Sequence, residues 1–86
     1  MQFEGAVIKE QGVTFAIIVV KAHVLNNSIE CDKARRSFRN IFPGVPIVLM
    51  AQDSRGVPTY QGRPDIVRFL SKVHPSRIPW KMYNYN

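Results

Sequence analysis

The sequence predicts a single α+β domain of order ββαββα, a four-stranded mixed sheet with two helices. Three observations predict it. Residues 13–20 and 47–51 are short, nearly continuous apolar runs rich in β-branched side chains, as in strands covered on both faces. Between them, Cys31, Ala34, Phe38, Ile41 and Phe42 recur at helical spacing, and Ile66, Phe69, Leu70 and Val73 repeat that pattern later. Turn residues punctuate every junction.

Each element has its own local reason. Residues 3–9 alternate well enough for a first strand, and Glu10-Gln11-Gly12 offers a tight turn into the run from Val13. The two form a hairpin. Asn27 can cap the following helix, with Glu30 three residues on as in a capping box. The helix extends over residues 28–42, apolar on one stripe and carrying Asp32, Lys33, Arg35, Arg36 and Arg39 on the other side. Pro43-Gly44 ends it. Pro46 opens the second buried strand, Asp53-Ser54-Arg55-Gly56 forms a turn, and residues 57–61 return as a strand that Pro58 assigns to an edge. After Gly62, Pro64 and Asp65 start the last helix. Residues 1–73 thus form the domain. Residues 74–86, with Trp80, Tyr83 and Tyr85, read as an irregular aromatic tail that folds back over the core or offers a surface to a partner.

Composition narrows the function classes. The chain has 86 residues, 45% of them hydrophobic and 21% charged, an ordinary globular balance. A domain this short buries roughly 60–65% of its unfolded surface, which argues against a deep substrate cavity. No apolar run is long enough to span a bilayer, and no secretory segment is visible. The one cysteine, Cys31, excludes an internal disulfide or multi-cysteine metal site and points to a reducing, cytoplasmic setting. Twelve Lys and Arg against six Asp and Glu give a net charge of +6, which suits a polyanionic partner or is simply a basic surface.

The run from Thr14 to Val20, a helix, Gly44-Val45-Pro46 before an apolar strand, a hairpin, Gly62 and a last amphipathic helix together resemble the thioredoxin-like fold. The resemblance covers about two-thirds of the chain, by element order more than by signature residues. It implies a cis bond between Val45 and Pro46. The redox chemistry does not transfer. Where redox members carry Cys-x-x-Cys, this chain has Leu25-Asn26-Asn27-Ser28, and Cys31 falls a turn later on the apolar stripe, as an inert buried thiol. The family's segment between the first helix and that proline is also missing, and the N-terminal hairpin replaces its strand.

Candidate sites are few. Arg35, Arg36 and Arg39 form a basic patch on one helix, suited to phosphates or acidic side chains; a solvated helix face is the plainer reading. His23, Asn27 and Ser28 sit near a helix start that can bind an anion, with no acid placed to make a catalytic set. His74 reads as a cap or surface residue. No metal or cofactor motif is present. The expectation is therefore a non-catalytic, cytoplasmic protein-interaction or accessory module, contacting a protein partner or a second copy through edge strands and C-terminal aromatics. The alternative is nucleic-acid binding through the basic helix face.

Overall fold

Two residues turn the chain at its first corner. Gln11 and Gly12 have φ of 50° and 79°, a two-residue loop of left-handed residues matched to the twist of the flanking strands. In the computed structural model, which describes residues 2–85, this turn joins β1 (Gln2–Glu10) to β2 (Val13–Val19) as an antiparallel hairpin. Then follow α1 (Ala22–Leu25), α2 (Ser28–Arg39), β3 (Ile47–Gln52), β4 (Pro58–Gln61), α3 (Pro64–Leu70), a 3-10 turn (Pro75–Arg77) and β5 (Lys81–Asn84).

The sheet is mixed and open, in the order β4-β3-β2-β1-β5, with β2 and β3 parallel and the other neighbours antiparallel. It has five strands, not four. The fifth is drawn from residues expected to be an irregular tail. Trp80 anchors the return: its indole N–H donates to the Pro75 carbonyl at 2.9 Å, and its backbone N–H donates to Ile78. Lys81–Asn84 then pairs with the start of β1. Only Tyr83 of these four turns substantially inward, so no hydrophobic period marks the strand.

Among the described residues there are three α-helices rather than two. The short α1 fills the stretch assigned to a connection after β2. Helix α2 takes the expected Asn27 cap, its side chain accepting from the N–H groups of Ile29 and Glu30 at 2.9 and 3.2 Å. The Glu30 half of the capping box is replaced: the Asn27 N–H donates to the Val24 carbonyl at 3.3 Å. The helix stops at Arg39, three residues early, because Pro43 disfavours helical backbone at Phe42. Phe42 still closes on the Phe38 carbonyl at 2.9 Å, and the stripe continues as a turn. The bond between Val45 and Pro46 is trans, contrary to what the resemblance implied. Pro46 opens the β2–β3 ladder, its carbonyl accepting from Ala16 N–H at 3.0 Å, and an extended trans chain enters that position directly.

Both sheet faces are covered, which explains the two nearly continuous apolar runs. On one face Ala6, Phe15, Ile17, Val48 and Met50 pack against Ile66 and Leu70 of α3 and Ile78. On the other, Phe3, Ala16, Ile18, Ile47 and Leu49 pack against Cys31 and Phe38 of α2. Burying each large aliphatic side chain contributes about 1.5–3 kcal/mol. Gly5 lies close against the neighbouring strand: a Cβ there would stand 2.7 Å from the Ile17 carbonyl oxygen. Phe3 is the hub of the second layer, edge-on to Phe38 at 4.9 Å and stacked on Tyr83 at 5.1 Å.

Candidate functional site

Helix α2 carries the three arginines singled out in the sequence, and the fold separates their roles. Arg35 and Arg39 are one turn apart and face the end of the sheet, whereas Arg36 lies about 100° around the helix. Arg35 is not a free surface cation. Its side chain is only 17% exposed. Nε donates to the Ile47 carbonyl at 3.3 Å, and Nη2 donates to both the Gln61 carbonyl and the Gln61 side-chain oxygen. Arg36 and Arg39 are exposed.

Arg63, which the sequence did not mark as part of this group, completes the arrangement. Arg35, Arg39, Val45, Pro46, Ile47, Gln61, Gly62 and Arg63 line a cleft of about 380 Å³ between α2 and the β4–α3 connection. No carboxylate lines it. Arg63 Nε and Nη2 each donate to one Asp65 carboxylate oxygen at 2.8 Å, a fork-on-fork pair. That hydrogen-bonded guanidinium holds the Asp65 carboxyl below its usual value of 3.8, and Asp65 raises Arg63 in turn. The third arginine was hidden from sequence reading because residues 28 positions apart meet only when β4 returns beside β3.

The helix-start group is assembled differently. His23 lies in α1 and is exposed; Asn27 and Ser28 follow at the start of α2. The Asn27 oxygen already occupies the two N–H groups that an anion would use. Cys31 is buried and donates Sγ–H to the Val24 carbonyl at 3.2 Å. His74 caps the 3-10 turn, its Nδ1 meeting the Ser76 N–H at 3.1 Å and the Ser76 hydroxyl at 2.7 Å. Among the described residues, no group of His, Cys, Asp and Glu could hold a metal ion, and no helix is long and apolar enough to cross a membrane.

The two sheet edges differ. Ala16 and Val20 donate toward β3, so their odd-numbered neighbours Phe15 and Ile17 turn toward β1. By the same alternation, Phe3 and Gly5 of β1 face Tyr83 and Lys81 of β5, and the backbone groups of Met82 and Asn84 point outward. At the opposite edge Pro58 removes one donor, and Arg35 grips the end of β4 at Gln61. The β5 edge is the open one. Met82, 54% exposed, stands on it.

No protein-family model, no curated protein and no solved structure matches the chain.

Proposed function

We propose that the protein is a non-catalytic protein-interaction module whose binding element is the outer edge of β5, to which a partner adds an extended strand. The observation that carries this reading is the pair of outward-facing residues Met82 and Asn84, which supply backbone donors and acceptors without a proline between them. A second copy of the chain meets the geometry. Antiparallel pairing about Tyr83 sets Met82 against Asn84 of the second copy and Lys81 against Tyr85, so two basic chains meet without opposing cations.

A binding role rather than a catalytic one is supported by what occupies the reactive side chains. Cys31 is in the core, His74 caps a turn, and Asp53 closes the β3–β4 turn on the N–H groups of Arg55 and Val57. We read the succession from β2 to α3 as a reduced thioredoxin-like domain in which β1 stands beside β2 in place of the missing family strand. A cytoplasmic setting agrees with the unpaired cysteine.

Nucleic-acid binding through α2 takes second place. Its arginines do not form a continuous track, since Arg35 is tied to the sheet. Stacking on bases needs open aromatic faces, and two rings of the C-terminal segment are engaged elsewhere, Tyr83 on Phe3 and Trp80 against the core.

Sedimentation equilibrium over a wide concentration range tests the edge reading. The expected result is a reversible dimer that Asn84→Pro weakens while the circular dichroism spectrum is kept, because that N–H faces away from β1. A monomer at every concentration overturns self-pairing.

A further inference from the structure

The arginine cleft lies at the opposite end of the sheet order from β5, and edge pairing makes no use of it. Three arginines, Arg35, Arg39 and Arg63, line one cavity there whose other walls are Val45, Pro46, Ile47, Gln61 and Gly62. Such a gathering of like charges is unfavourable unless an anion joins it. Asp65 neutralises Arg63 from one side only, through Nε and Nη2, and leaves Nη1 free of that pair. Arg35 meets Asp32 only at 3.9 Å, across an exposed carboxylate. Arg39 has no carboxylate partner among the described residues.

The donors are also held in place before any ligand arrives. Arg35 is fixed by its bonds to Ile47 and Gln61, and Arg63 by the Asp65 fork. Two ordered guanidinium groups beside a proline wall need little side-chain ordering on binding, and that is where charged recognition gains affinity. Only Arg39 must settle.

We propose that this cleft is a binding site for a compact phosphate group, with Arg39 as the mobile clamp and Arg35 and Arg63 as the fixed cradle. Phosphate suits it better than a carboxylate, because its several oxygens can each accept from a different arginine, Nη1 being the donor that Arg35 and Arg63 do not spend on Ile47, Gln61 and Asp65. The cleft, about 380 Å³, has room for a phosphate or a pyrophosphate and has no aromatic ring to stack a base. It therefore addresses the phosphate of a small molecule, not a strand of nucleic acid.

The test is a nitrogen-15 NMR titration of the full chain with inorganic phosphate and pyrophosphate, each at low and moderate salt. A nucleoside monophosphate, O-phosphoserine and a short oligonucleotide form the arms that distinguish the sources of the phosphate. The proposal expects saturable shifts confined to Arg35 Nε, Arg39 Nε, Gly62 and Arg63, with pyrophosphate binding more tightly than phosphate. Arg39→Gln should weaken binding about tenfold or more, while Arg36→Gln, one position outside the cleft, should leave it within about twofold. Equal losses from the two variants, shifts spread over all the basic residues, or saturation by the oligonucleotide alone would each overturn it. Both Arg36 and Arg39 are exposed, so neither variant puts folding at risk.

Discussion

Arg35 donates from Nε to the Ile47 carbonyl at 3.3 Å, beyond the last β3–β4 pair, Leu49 with Gln61. A residue that reads as surface charge thereby closes the end of the sheet, holding α2, β3 and β4 together through one guanidinium. Replacing it removes a charged donor from two carbonyl groups. Arg35→Ala should cost about 1–3 kcal/mol of stability, whereas Arg36→Ala and Arg39→Ala should stay within about 0.5 kcal/mol. Urea denaturation of the three variants measures the contrast.

Gly5 offers a steric prediction. Its missing Cβ leaves room for the Ile17 carbonyl, which would otherwise stand 2.7 Å away. Because the obstacle is backbone in the adjoining strand, it cannot swing aside. Gly5→Ala should destabilise by about 1–3 kcal/mol, seen as a lower urea midpoint.

Tyr60 presents the opposite case. Its hydroxyl is covered and has no hydrogen-bond partner among the described residues, and burial raises its pKa above the usual 10.0. Tyr60→Phe should leave stability unchanged or raise it by about 1 kcal/mol, since an unsatisfied buried group is lost. Because the folded pKa is the higher one, the unfolded chain releases the proton first and native stability falls as pH rises past 10. Thermal melts between neutral and alkaline pH should show that slope in the wild type and a shallower one in Tyr60→Phe.

The Arg63–Asp65 fork sets an acid limit. Asp65 has a folded pKa below 3.8, chiefly through its hydrogen bonds with Arg63. Its contribution is therefore complete above that value and lost as pH falls through the lower, folded one. The pair is exposed, so the effect is small. Melting temperatures of the wild type and Asp65→Asn should converge as pH drops below 3.8.

The β5 strand is held by one ring. Tyr83 stacks on Phe3 at 5.1 Å and meets Phe42 edge-on at 5.3 Å, while Lys81 Nζ lies 5.4 Å from its centroid. Tyr83→Ala should cost about 2 kcal/mol and speed hydrogen exchange at Phe3 and Gly5, which face β5. Tyr83→Phe should do neither.

What the sequence determined by itself is what depends on near neighbours. The Gln11-Gly12 turn, the Asn27 cap, the Asp53 turn and the proline-marked edge of β4 were legible because each is a local bond or a local restriction on φ. The two central strands were legible because burial on both faces leaves a nearly continuous apolar run. Tertiary structure alone decided the rest. A four-residue strand with one inward side chain has no period to read, so β5 existed only once β1 offered an open side and Phe3 a ring to stack on. Arg35, Arg36 and Arg39 looked alike in sequence. The return of β4 gave Arg35 carbonyl groups to hold, brought Arg63 to the cleft and left Arg36 outside it. Residues 28 apart meet only when a sheet folds between them, and that long-range closure is the information a local pattern does not carry.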